Sequence, residues 1–143
     1  MNFVLDASVA LSWLLSDAAS ANAAYSAKVL RFVAQEGTSA IAPATWWLEL
    51  AIAIAKAERK KAINQAQAES YLEMLGSLGV IPDALTASKA LTDTLRLARQ
   101  YRLSSYGASY LEVALRNGLP LATLDDDLRK AAKKAGVGRF AEA

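Results

Sequence analysis

Short apolar runs that stop abruptly alternate with long helical patterns along this sequence, and that alternation constrains the fold more than any other feature. The run "MNFVLD" reads as a buried strand ending at Asp6, and "TSAIAP" as a second strand closed by Pro43. "VIP" and "LPLATL" read as two more, the last with Asp125 at its carboxyl end, and residues 137–140 as a further edge strand. Between the strands lie helical stretches. "ASVALSWLL" is one. Another covers about residues 21–35, capped by Ser20 and ended by Gly37, with Tyr25, Val29, Phe32 and Val33 on one face. "TWWLELAIAIAKAERKKA" alternates like a strand at its centre, but its length and its alanine, leucine, glutamate and lysine favour helix. Asn64 with Gln67 makes a capping-box start for a helix whose stripe is Ala68, Tyr71, Leu72, Leu75 and Leu78. Residues 86–101 give an amphipathic helix through Ala87, Leu91, Leu95 and Ala98. A helix from Tyr106 to Arg116 stops at Asn117-Gly118, and "DDLRKAAKKAG" starts the last one. Strands separated by helices predict a single α/β domain over residues 1–143: three layers, α/β/α, around a mostly parallel sheet of four to five short strands.

Composition narrows the chemistry. Of 143 residues, 54% are hydrophobic and 21% charged, enough apolar mass for a packed core. There is no cysteine and no histidine. A disulfide framework, a thiolate metal site, a cysteine nucleophile and the commonest general base are therefore all excluded. Catalysis would have to run on carboxylates, hydroxyls, amines or a metal held by oxygen. The formal charge of +2 permits an anionic partner without arguing for one. No stretch approaches the roughly 18 apolar residues of a membrane span, and residues 1–15 lack the basic start of a signal peptide and carry Asp6. The expectation is a soluble, cytoplasmic protein with no membrane partner.

Two predicted strands end in aspartate where α/β sheets place their sites, at Asp6 and Asp125. Either residue could instead cap the helix that follows. Glu49 lies in the most apolar helix, among Trp46, Trp47, Leu48, Leu50 and Ile52. Buried without a partner it would cost several kcal/mol. It must face solvent, pair with a cationic side chain or bind a cation.

Three blocks of this sequence resemble the PIN-domain family, and within it the VapC-type toxin ribonucleases of bacterial toxin–antitoxin pairs. They are "VLDASVALSWLL", "PATWWLELAIAIAKA" and "LSSYGASYLEVALRNGLPLATLDDDLRKAA". The resemblance covers nearly the whole chain in order and spacing. It implies an acidic pocket that binds Mg²⁺ or Mn²⁺ and cuts RNA, a homodimer, and an antitoxin protein that docks in a groove. It places Asp6, Glu49 and Asp125 as catalytic and metal-holding acids, with the hydroxyls of Ser8 and Thr123 lining the pocket. The family's third acid opens a helix in a pattern like Tyr-Asp-Ala-Ser-Tyr. Here the residues are Tyr106-Gly107-Ala108-Ser109-Tyr110, so glycine stands where that carboxylate is expected. Such a change within an otherwise kept pattern matches a recent loss or a deliberate inactivating substitution.

Losing one carboxylate predicts weaker metal binding and impaired cleavage. Asp126 and Asp127 either compensate or simply open the last helix, where acids suit the dipole. A non-catalytic PIN fold that binds antitoxin or RNA is the alternative. A phosphotransfer enzyme using Asp6 is a weaker one, since Ala7-Ser8 supplies no second acid, and no glycine-rich phosphate loop exists. The basic runs 56–62 and 129–134 could contact RNA phosphates or form solvated helix faces. Tyr106 and Tyr110 could stack on a base or pack at helical spacing. Trp46 and Trp47 point about a hundred degrees apart, so one belongs to the core and the other to an interface.

Overall fold

A computed structural model describes residues 1–15 and 20–142. Four parallel strands form the sheet: β1 (Asn2–Leu5), β2 (Ser39–Ala42), β3 (Ile81–Pro82) and β4 (Leu121–Ala122). Their order is β3-β2-β1-β4. β1 is central because it is the most apolar: Phe3, Val4 and Leu5 are fully buried. It pairs with β2 from Asn2 against Ser39 to Val4 against Ile41, and with β4 through Val4–Leu121 and Leu5–Ala122. The expected fifth strand is reduced to one bridge, Leu121 to Arg139, beyond β4. Phe140 closes that edge by stacking on Phe3 at 3.7 Å between ring centres.

Helices cover the sheet as the sequence suggests: α1 (Ala7–Leu15), α2 (Ala21–Val33), α3 (Trp46–Arg59), α4 (Gln65–Ser77), α5 (Thr86–Lys89), α6 (Leu95–Tyr101), α7 (Ser105–Asn117) and α8 (Asp126–Lys134). Their ends follow local chemistry. The Ser20 side chain accepts from the Ala23 amide. Asn64 and Gln67 form both bonds of a capping box. Gly118 closes α7 at φ 64, where a side chain would be strained. Trp46 is 2% exposed and Trp47 39%, so the two tryptophans divide between core and surface as helical geometry requires.

One expectation fails. Residues 86–101 are not one regular helix. A π-helical segment, Ala90–Thr94, separates α5 from α6. The wider turn breaks the 3.6-residue period, so the stripe through Leu91 does not face the core. Leu91 is 84% exposed, while Thr94 and Leu97 are buried.

The sequence also hid a buried ionic network that fixes α7 to the end of β3. Arg116 donates to both oxygens of Asp83 at 3.0 and 2.9 Å, and to both oxygens of Glu112 at 2.8 Å. Thr86 Oγ1 adds a bond to Asp83 at 2.8 Å. Burial alone would raise the Asp83 pKa, but the bonds from Arg116 and Thr86 outweigh it and hold this acid below its usual range. Removing the guanidinium strands two acids in a mostly buried site. Arg116→Ala should therefore cost about 3 kcal/mol of stability by urea unfolding. Lys89→Ala, which loses a surface pair with Asp93, should cost under about 1 kcal/mol.

Candidate functional site

The chain runs outward from β1 to β2 and β3, then returns across to β4 on the other side of β1. The β1/β4 boundary is thus the switch point, where an α/β sheet leaves a crevice at its carboxyl end. Asp6 enters that crevice directly after β1, its amide bonded to the Ala122 carbonyl at 3.0 Å. Its carboxylate is buried and held by hydroxyls. Ser8 Oγ donates to Oδ2 at 2.6 Å and Thr123 Oγ1 donates to the same oxygen at 2.5 Å. The hydroxyls are themselves fixed, because Ser8 Oγ accepts from the Leu124 amide and Thr123 Oγ1 from the Asp125 amide, each at 3.0 Å.

Asp125 stands at the exposed rim of the crevice. It caps α8, accepting from the Leu128 amide at 3.0 Å, so the capping role is real. That role does not remove its charge from the site, since Asp125 raises the pKa of Asp6 electrostatically. Glu49 reaches the crevice from the first turn of α3. Tyr110 on α7 donates its hydroxyl to Glu49 Oε2 at 2.5 Å and accepts from the Ala7 amide at 3.2 Å. The starts of α1 and α3 and the first half of α7 therefore meet at one phenol oxygen.

Electrostatics follow from this packing. Asp6 has its pKa raised, chiefly by burial, and the hydroxyl bonds offset that only in part. Burial also raises Glu49, with the Asp6 charge adding to it and the Tyr110 bond opposing it. Burial pushes the Tyr110 phenol well above its ordinary value, and the neighbouring charges of Asp6 and Glu49 push it further, so it stays protonated. No cationic side chain is bonded to Asp6 or Glu49 among the described residues. Of the expected residues, Asp6, Ser8, Thr123, Asp125 and Glu49 converge. Tyr110 was missed as a site residue; helical spacing with Tyr106 pointed as much to packing. The two differ here, with Tyr110 buried and Tyr106 50% exposed. Gly107 lies in the first turn of α7, one turn before Tyr110, and its amide donates to Ser104 Oγ.

The PIN-domain family model matches residues 3–134. The chain belongs to the PIN-domain family. PIN domains are generally nucleases, commonly metal-dependent, that act on RNA, and they often serve in toxin–antitoxin pairs. Among solved structures, the crystal structure of PAE2754 from Pyrobaculum aerophilum is similar at 26% identity with a TM-score of 0.65. The similarity covers 92% of this chain and 79% of that one. No curated protein sequence matches the chain. Among the described residues, no helix of this PIN domain is long and apolar enough to cross a membrane.

Two outcomes test the site. A raised acid pKa means that folding disfavours the Asp6 carboxylate. Its penalty is absent below the unfolded value of 3.8 and fully present above the folded one. Stability should thus fall from this group as pH rises above about 4. Asp6→Asn should be more stable than the parent at pH 7, and the gap should close toward pH 4 in urea titrations. Tyr110→Phe leaves the Ala7 amide and Glu49 without their shared partner, and should cost about 1–3 kcal/mol in the same measurement.

Proposed function

We propose that this PIN domain is the metal-dependent endoribonuclease toxin of a toxin–antitoxin pair, impaired by glycine at position 107. The observation that carries the reading is the buried Asp6 carboxylate, held by two hydroxyls and facing the charges of Glu49 and Asp125 without a cation between them. Such a charge arrangement is costly in a fold and suits a site built to receive a cation.

The donors fit a hard ion. All are oxygens, and Mg²⁺ is commonly held by one or two carboxylates with water filling its remaining positions. Asp6 and Asp125 would hold it, with Glu49 beside them. No group of three acids stands close enough to cage an ion among the described residues, so Asp6, Glu49 and Asp125 do not by themselves close around one. When bound, the ion would acidify a water and neutralise charge on the scissile phosphate. The protein's own groups do the rest. Ser8 and Thr123 fix the rotamer of Asp6. Tyr110 leaves Glu49 Oε1 available to accept a proton from water, a role suited to a carboxylate in a chain without histidine.

Gly107 takes the position of the family's third acid. Its backbone does not require glycine, and a Cβ there would meet Ser104 Oγ at 3.4 Å and Leu103 Cβ at 3.8 Å, ordinary contacts. A Cβ is accommodated, and an aspartate at a helix start suits the dipole. An apolar groove of about 490 Å³ between α3 and α4, lined by Trp47, Leu50, Ile54, Leu72 and Val80, supports the homodimer and antitoxin partners. The same groove also favours the second reading, a binding module that no longer cuts.

Gly107→Asp separates them. It should fold at least as well as the parent, bind Mn²⁺ more tightly by calorimetry, and cleave RNA about 10²-fold faster or more, some 2.7 kcal/mol of transition-state stabilisation. Equal metal binding and equal cleavage by both proteins would remove position 107 from the site. Metal binding and cleavage absent from both would leave the binding module.

A further inference from the structure

Two basic clusters punctuate the sequence, and the fold treats them differently. Arg59, Lys60 and Lys61 follow the far end of α3, about 15 Å along its axis from Glu49. They lie away from the acid crevice. Lys130 and Lys134 lie on α8, which Asp125 caps. Lys130 is about 7.5 Å along the axis from that acid and Lys134 one turn further on the same face.

These two lysines do not stand on a flat surface. With Arg102, Tyr101, Gln100 and Asp127 they line a cavity of about 370 Å³ between the end of α6 and the outer face of α8. Arg102, Lys130 and Lys134 are exposed, and none is in the ion pairs among the described residues. Three cations and one carboxylate leave the cavity at net +2. Tyr101 offers a half-exposed ring and Gln100 an amide. A concave site with free cations, an amide donor and an aromatic wall suits a strand whose phosphates alternate with flat bases.

We infer that this cavity binds the backbone of single-stranded RNA next to the acid crevice, with Arg102, Lys130 and Lys134 on phosphates and Tyr101 against a base or sugar. The inference rests on the nuclease reading for its choice of RNA. Its consequence is directional: a strand that crosses the Asp6 crevice continues along α8 rather than along α3. The acid crevice alone repels a phosphate chain, so positive charge must be supplied along the path of the strand, and this cavity supplies it on the helix that Asp125 caps.

Binding can be read without cleavage. Fluorescence anisotropy of a labelled 12-nucleotide RNA, with chelator present, measures affinity of the parent chain. Replacing Lys130→Glu with Lys134→Glu should weaken binding about 10- to 100-fold at low salt. Neutral Lys130→Gln with Lys134→Gln should lower the slope of log affinity against log salt by about 1.4, two contacts at about 0.7 each. Tyr101→Ala should weaken binding without changing that slope. The triple change Arg59→Glu, Lys60→Glu and Lys61→Glu should matter by less than about threefold, although it alters net charge more. The inference falls if the triple change weakens binding as much as the double one. It also falls if the α8 variants bind like the parent, if the parent binds no RNA, or if poly-glutamate displaces the RNA at equal charge. Cleavage by Gly107→Asp with Mn²⁺ is scored separately. Cleavage with unchanged α8 binding overturns only this site, and α8-dependent binding without cleavage upholds it while the nuclease reading fails.

Discussion

The buried carboxylate of Asp6 is the constraint around which the rest of the crevice is arranged. It follows the most apolar strand of the sheet, so the backbone that makes β1 central also carries a charge to the edge of the core. Water cannot solvate it fully there. Its Oδ2 takes hydroxyl bonds from both Ser8 and Thr123, and those residues take amide bonds from the turn leading into α8. The turn after β4 is thereby fixed to the turn after β1. This fixes Asp125 where its charge acts on Asp6.

The same domain buries acids in a second way, and the contrast is informative. At the end of β3, Asp83 and Glu112 share the planar guanidinium of Arg116. That arrangement leaves the Asp83 carboxylate below its ordinary pKa and closes the site. At the end of β1, Asp6 and Glu49 receive hydroxyl bonds, with a backbone bond from Ser8 to Asp6, but no cation, and their pKa values rise. Both clusters sit at strand ends of one sheet, so topology does not separate them. What separates them is whether a cation is built in. The Arg116 cluster ties α7 to the sheet. The Asp6 cluster is left electrostatically incomplete, which a purely structural role would not favour.

Much of this was legible in the sequence, because the signals were local. Apolar runs ending in acids gave β1 and the approach to α8, and capping residues gave the helix starts. Asp6 and Asp125 could be paired because each ends a predicted strand. Glu49 drew notice as a charge among tryptophans and leucines. The rest depended on contacts that no local pattern encodes. Asp83 and Arg116 are 33 residues apart, and neither looks unusual where it stands. Tyr110 lies 61 residues from the carboxylate that it holds and 103 from the amide that it accepts from. The π-helical turn at Ala90–Thr94 has no signature comparable to a proline, and it turned the expected stripe through Leu91 outward.

Position 107 shows how fold and site can part company. Glycine is usually explained by a positive φ or by crowding, and neither applies in the first turn of α7. Ser104 caps that helix through the backbone amide of residue 107, a bond indifferent to the side chain. The fold therefore tolerates many residues here, and stability does not select glycine. Tyr110, one turn later, still holds Glu49 toward the crevice. The hold of Tyr110 on Glu49 is thus independent of the side chain at position 107. Because residue 107 opens a helix with its amide already capped, a side chain there asks for no rearrangement of the backbone.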